Sequence, residues 1–216
     1  MLKKLDEKKI LDILETGISE FSQQGLEKTN INIVAKKAGV SVGVLYKYFV
    51  SKDEFFMACL KHSLSVLKKV IDEALQGEQK ILVRAEKLIR AVQKNTREHE
   101  NYNAMYHEIT SGGFKKYAVV LAEEIESISA KVYPDFLRQA QMTGEIRTDA
   151  DPKMFAFFFD SLLITLQFSY SCDYYRERFK LYCGEDILDD DEKVVKELLK
   201  FLESAFTTSQ SEIKHS

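Results

Sequence analysis

A chain of 216 residues with 45% hydrophobic and 30% charged residues, only two prolines and nine glycines can bury a sizeable core and has too few turn formers for a disordered or sheet-rich protein. Its net charge of −3 does not by itself suggest a nucleic-acid partner, but the charge is unevenly spread. Five lysines (28, 36, 37, 47 and 52) and no acidic residue lie from Lys28 to Lys52, whereas residues 61–216 carry 22 basic against 26 acidic side chains. Cys59, Cys172 and Cys183 are odd in number, widely spaced and lack a CxxC pattern, so reduced thiols in the cytoplasm are the economical reading and a zinc site is not expected.

The N-terminus is basic but leads into a charged, helix-periodic stretch instead of an apolar core and cleavage site, so no export is expected. Over residues 4–24 the apolar positions Leu5, Ile10, Leu11, Ile13, Leu14, Ile18 and Phe21 share one helical face, and Gly25 ends that helix. Asn30 caps a short second helix through about Ala38, Gly39 follows, Ser41 caps a third through Tyr48, and Ser51 caps a fourth from Lys52 to about Leu75. Gly77 breaks it. Helical patterns resume at Ile81–Glu98, Tyr102–Thr110, Phe114–Thr143, Lys153–Tyr175 and Asp190–Thr207, with turn chemistry at Ser111-Gly112-Gly113, Thr143-Gly144 and Asp151-Pro152. Ile187–Asp191 reads as a loop and Ser209–Ser216 as a frayed tail.

The segment from Ile33 to Phe49 carries the information. Two short helices crossing steeply need a small residue where they touch, a turn residue tolerant of positive φ, and apolar residues locking one onto the other. Ala35, Gly39 and the set Val34, Val40, Leu45 and Tyr48 supply them. With Leu45 and Phe49 inward, Val42, Gly43, Val44, Tyr46 and Lys47 are left for a DNA major groove. Gly43 lets the backbone approach closely, the Tyr46 hydroxyl suits a phosphate, and Lys47 can reach a guanine edge or a phosphate. Lys36 and Lys37 read as a solvated face.

Phe21, Gly25, Val34-Ala35, Ala38-Gly39-Val40-Ser41, Gly43, Leu45-Tyr46, Phe49 and Ser51-Lys52 fall where the TetR family has its N-terminal pattern, and over about the first 55 residues the chain resembles that family. The resemblance implies a dimeric, usually repressing regulator. Thr29, Tyr46 and Lys52 then look like phosphate contacts, Val42, Val44 and Lys47 like base-facing positions, and Ser41 and Gly43 like parts of the same DNA-binding surface. Val42 and Val44 depart from the commoner polar residues there, which suits thymine methyls.

The expected fold is all-α with about nine helices: residues 1–50 a three-helix helix-turn-helix DNA-binding domain, 51–76 a connecting helix, and 77–216 a larger helical domain for ligand binding and dimerisation. The resemblance implies that the last two long helices pair with their copies in a homodimer. Met154–Tyr175 is apolar nearly all round, so it needs burial on two sides, and Phe155, Phe158, Phe159, Leu162, Leu166, Leu198 and Phe201 are the interface candidates. The membrane-like run Met154–Tyr170 is read as a buried interface helix, since it is short and contains Asp160, Thr165 and Gln167. Tyr102, Met105, Tyr106, His107, Phe114 and Tyr117, with Phe168, Cys172 and Tyr175, make an aromatic and sulfur-rich set suited to a small, moderately hydrophobic effector. Asp160 needs a partner; it addresses either a cationic ligand group or the other subunit.

No Gly-rich phosphate loop, Gly-x-Ser-x-Gly elbow or His/Cys metal spacing is present, so neither an enzyme nor a cofactor or metal is expected, and Glu123, Glu124 and Glu126 read as a solvated face. The expected partners are double-stranded operator DNA, the effector and a second copy of the chain, with no membrane. The alternative is a helical protein-interaction module without operator specificity, which leaves the acid-free lysine island without a use.

Overall fold

The computed structural model describes residues 5–77, 80–110 and 118–207. Among these residues it contains eleven α-helices, one short 3-10 helix and no strand: α1 Glu7–Lys28, α2 Ile31–Lys37, α3 Val42–Tyr48, α4 Lys52–Ala74, α5 Ile81–Glu98, α6 Glu100–Glu108, α7 Ala118–Glu126, α8 Ser129–Met142, α9 Pro152–Ser171, α10 Asp173–Cys183 and α11 Asp191–Phe206, with the 3-10 helix at Glu185–Asp189. The expected turn at Ser111-Gly112-Gly113, the residues Phe114 and Tyr117, and the tail Ser209–Ser216 lie outside the described residues.

Local chemistry sets most of the helix starts. Asp6 accepts the Lys9 N–H at 2.8 Å, the Asn30 Oδ1 accepts that of Asn32 at 2.9 Å, and Ser41 Oγ accepts that of Val44 at 3.2 Å. Ser51 Oγ accepts the Glu54 N–H at 3.1 Å while the Glu54 carboxylate returns to the Val50 N–H at 2.9 Å. Each such bond satisfies a donor that the helix leaves orphaned. Gly25 does not stop α1 outright: at φ +69° it kinks the backbone, and one more turn follows to Lys28.

Nine helices become eleven because two expected long helices are each divided. The stretch 114–143 is interrupted at Ser127-Ile128, where Ile128 keeps helical angles and the Ser127 hydroxyl donates to the Glu124 carbonyl at 3.4 Å; local hydroxyl bonding of this kind competes with the helix. Lys153–Tyr175 is interrupted at Cys172, which is extended (φ −122°, ψ 128°). The Arg176 guanidinium donates to the Tyr170 carbonyl from two nitrogens, at 3.0 and 2.6 Å, so the end of α9 is satisfied by a side chain.

The chain forms two compact units, and they do not follow the linear division at residues 50 and 76. The first comprises Met1–Leu67 with His99–Leu121, the second Lys68–Glu98 with Ala122–Ser216. In the first, α6 packs along α1, and Phe21, Phe49, Phe55 and Phe56 form an aromatic cluster with ring centroids 4.9–5.6 Å apart. Helices α1 and α4 touch closely at Gly17, where a Cβ would overlap the Phe55 ring and the Cys59 sulfur. Cys59 is buried, which pushes its thiol pKa up, and none of the three cysteines is in a disulfide.

In the second unit α9 packs against α5, α8 and α10. Leu88, Leu137, Phe159 and Phe206 meet where α5, α8, α9 and α11 converge. A polar cluster fixes the start of α11: Arg97 lies over the Tyr170 ring at 4.9 Å and binds Asp191 at 2.6 Å, while Gln93 donates to the Tyr170 hydroxyl at 3.0 Å. Burial pushes the Tyr170 hydroxyl up to about 12. Helix α9 is long and apolar enough to cross a membrane, with half of its most apolar stretch buried in the protein.

Candidate functional site

Helices α2 and α3 form the expected helix-turn-helix. Val34 and Leu45 are fully buried, Ala35 is nearly so, and Gly39 takes φ +66°, which a glycine adopts at little cost. The Val40 N–H returns to the Ala35 carbonyl at 2.9 Å and closes the turn. Phe49 joins the aromatic cluster through Phe55, 4.9 Å between centroids. Tyr48 is half-buried, its hydroxyl accepting the Leu5 N–H at 2.6 Å, which ties the N-terminal arm to α3.

This anchoring leaves one side of α3 open. Ser41, Gly43, Tyr46 and Lys47 are exposed, and Val42 and Val44 are half-buried. A Cβ at Gly43 would meet nothing nearer than Ser41 Oγ at 4.0 Å, so no packing inside the protein requires a glycine there, although glycine in a helix costs about 1 kcal/mol relative to alanine.

The flanking positions divide. Thr29, expected on a phosphate, is only 4% exposed, and its hydroxyl donates to the Gly25 carbonyl at 2.6 Å; it closes the end of α1 and is not presented to DNA. Lys52 is half-buried and donates to the Glu27 carbonyl at 2.8 Å, which uses one of its three hydrogens. Lys37 is paired with the buried Glu20, and Lys36 is exposed, so neither belongs to the reading face of α3. Sequence spacing missed Lys9, whose Nζ would lie 3.4 Å from a Cβ built at Gly39. It adds a positive charge beside the turn from thirty residues away, and nothing in the local pattern signals it.

Residues 13–59 match the family model described as bacterial regulatory proteins, tetR family. The chain carries a TetR-family helix-turn-helix segment there. It is 26% identical to the HTH-type transcriptional regulator YhgD of Bacillus subtilis over 77% of this chain and 85% of that protein. The TetR-family fold extends beyond the matched segment. A putative TetR-family regulator from Rhodococcus sp. superposes with a TM-score of 0.68 at 22% identity, covering 92% of this chain and 99% of the other. FadR from Bacillus subtilis, solved with stearoyl-CoA, gives 0.68 at 16% identity over 88% and 97%.

Outside the TetR-family DNA-binding segment, the expected ligand residues fall into both units. In the first, Met105 is fully buried, Tyr106 is buried and His107 half-buried. Tyr102 stacks on His99 at 4.6 Å and gives its hydroxyl hydrogen to Glu15, which also binds His62 at 2.9 Å. In the second, Phe168 packs on Tyr175, 5.4 Å between centroids, beside the half-buried Cys172.

The interface candidates also separate. Phe159 and Leu166 are buried within the chain and belong to its own core, because they turn toward the neighbours of α9. Phe158 and Phe201 remain 53% and 59% exposed, Phe155, Leu162 and Leu198 half-exposed. Phe155, Phe158, Leu162, Phe201 and Ala205 line an apolar groove of about 390 Å³ between α9 and α11. Asp160 is turned away from that groove toward α8, into a cavity it shares with Glu126, Ser129 and Tyr133. Burial, aided by the charge of Glu126 and opposed by a hydrogen bond from Ser129, pushes its carboxyl up to about 7. Glu126, expected on a solvated face, is half-buried.

Proposed function

We propose that this chain is a ligand-responsive repressor that acts in the cytoplasm, without a catalytic step, by binding a palindromic operator as a homodimer that a small, moderately hydrophobic effector releases. The observation that carries the reading is the outer face of α3, where Gly43 has no packing role and Tyr46 and Lys47 stand exposed beside it. On DNA, Gly43 admits the backbone close to the groove, Tyr46 and Ser41 meet phosphates, and Lys47 with Val42 and Val44 addresses base edges, the valines by contact with thymine methyls.

Pairing of the α9 and α11 faces about a two-fold axis supplies the second reading helix about 34 Å from the first. The exposure of Phe158 and Phe201 supports it, because aromatic side chains left in water on adjacent helices are costly until covered. The effector reading draws on the aromatic and sulfur-bearing residues Tyr102, Met105, Tyr106, His107, Phe168, Cys172 and Tyr175, and on the stearoyl-CoA held by the similarly folded FadR. Effector binding shifts the population toward a dimer whose reading helices no longer match successive major grooves.

The test is a salt series of binding to the chain's own upstream DNA and to random duplex. Wild type is expected to prefer the upstream DNA, with log affinity falling linearly in log salt concentration. Lys47→Ala should weaken specific binding by about tenfold or more, and Tyr46→Phe should weaken both duplexes alike. No preference for the upstream region, or equal affinity of wild type and both variants, overturns the reading.

A further inference from the structure

Lys9 stands on a side of α1 where a lysine kept for solubility has no place. It falls one turn before Ile13 and three turns before Glu20, both buried, so its stem starts on a stripe that α1 turns inward. Glu20, on that stripe, pairs with Lys37 of α2. Lys9 is half-buried, and its ammonium emerges at the turn between α2 and α3, 3.4 Å from where a Cβ on the exposed Gly39 would stand. A lysine stem lies along protein surface while its charged end seeks water or an anion.

That charged end is not answered within the chain. The Asp6 carboxylate at the start of α1 accepts the Lys9 backbone N–H at 2.8 Å, and the Lys9 ammonium makes no hydrogen bond or ion pair to a described residue. Lys37 and Lys52 differ, the first paired with Glu20 and the second donating to the Glu27 carbonyl at 2.8 Å. Holding a long side chain at one place costs rotamer freedom, and nothing inside the protein offsets that cost at Lys9.

The start of α1 also touches the reading helix at both ends. The Leu5 N–H donates to the Tyr48 hydroxyl at 2.6 Å, at the end of α3, and Lys9 reaches the turn that precedes the Ser41 cap. A major groove about 12 Å wide is walled by two rows of phosphates, so with α3 inside it a cation beside the α2–α3 turn faces one of those rows. A free anion has no enclosure here, since Gly39 and Lys36 are exposed. A polyanion docked on α3 brings its charge to this open surface.

We propose that Lys9 is a phosphate-contacting residue, its ammonium donating to a phosphodiester oxygen of duplex DNA beside the α2–α3 turn. The DNA-binding surface then includes the first turn of α1, outside the helix-turn-helix. The contact rests on the DNA-binding reading above but not on operator preference, because phosphates are read without regard to sequence.

The test compares Lys9→Met and Lys9→Arg with wild type in fluorescence anisotropy on labelled duplexes, the chain's own upstream DNA and a random sequence, between about 50 and 200 mM salt. Lys9→Met should bind both duplexes more weakly by the same factor, roughly tenfold or more at the low-salt end, with the loss shrinking as salt rises. The plot of log affinity against log salt concentration should become shallower by about 0.9 for each lysine–phosphate contact, about 1.8 when a dimer supplies two. Lys9→Arg keeps the charge and should keep the wild-type slope. Urea unfolding reports whether each variant is folded, and Lys9→Gln takes the place of Lys9→Met if that variant is not. Weakening by one factor at every salt concentration, with the slope unchanged, makes Lys9 a structural residue and overturns the proposal, as does a shallower slope that Lys9→Arg fails to restore. The two readings fail separately. Without a wild-type preference for the upstream DNA the operator reading falls, yet a slope that depends on Lys9 on random duplex upholds the phosphate contact. Weaker binding by Lys47→Ala beside an unchanged slope in Lys9→Met leaves the operator reading standing and overturns the contact.

Discussion

Helices α3 and α9 differ in how their surroundings fix them. Helix α3 has seven residues, of which Leu45 alone is buried, yet its placement is set from several directions: the Gly39 turn, the Ser41 cap, the Tyr48 bond to Leu5 and the Phe49 contact with Phe55. Helix α9 has twenty residues and an apolar surface on nearly every side, shared among neighbours from α5, α8 and α10 and a face toward α11 that stays exposed. A reader of DNA must present a few atoms in one geometry, so its scaffold is over-determined. A helix that serves a core and a cavity and leaves a further face exposed is held by burial, which is non-directional and tolerates more than one arrangement.

That contrast can be broken at four points. The largest effect is expected from Phe158→Glu with Phe201→Glu: the charges forbid pairing of the α9 and α11 faces, sedimentation should show a monomer, and operator affinity should fall roughly a hundredfold or more as one half-site is lost. Gly17→Ala drives a methyl into the Phe55 ring and the Cys59 sulfur, and should cost about 2 kcal/mol of stability in urea unfolding.

Asp160→Asn acts in the opposite direction and with a pH signature. Folding raises this carboxyl from an ordinary 3.8 to about 7, so the folded state binds the proton more tightly than the unfolded one. Stability is therefore lost as pH rises from about 4 to about 7. The asparagine variant should match wild type near pH 4 and exceed it by about 2 kcal/mol at pH 8, the half-exposure of the site reducing the full linkage value. The smallest effect is at Gly43, where alanine should stabilise α3 by up to about 1 kcal/mol while weakening operator binding. A variant more stable and equally tight on DNA would remove the functional reason for that glycine.

The helix-turn-helix was legible because its determinants are local: the small Ala35, the positive-φ Gly39, the Asn30 and Ser41 caps and the inward Leu45 and Phe49 lie within twenty residues. Thr29 was misassigned for a reason of the same scale. The hydroxyl that could meet a phosphate is drawn to the Gly25 carbonyl instead, which also accepts the Thr29 N–H at 3.2 Å. Asp160 stood out in its apolar run, but its surroundings could not be read: Glu126 and Tyr133 come from α7 and α8, some thirty residues earlier, and the break at Ser127-Ile128 carries no glycine or proline. Which apolar residues of α9 are core and which are surface was equally closed to pattern reading, since a helix apolar all round has no marked face; Phe158 and Phe159 are neighbours with opposite fates.

The exposed aromatics of α9 and α11 also tie the protein to its own abundance. If pairing covers them, the folded dimer is favoured by mass action, and the melting temperature rises with protein concentration. Dilution would then empty the operator by a different route from the effector, removing the dimer instead of reshaping it. On the same condition a cell that makes few copies would vacate the site without any small molecule, and newly made chains would hold Phe158 and Phe201 in water until they meet a second copy.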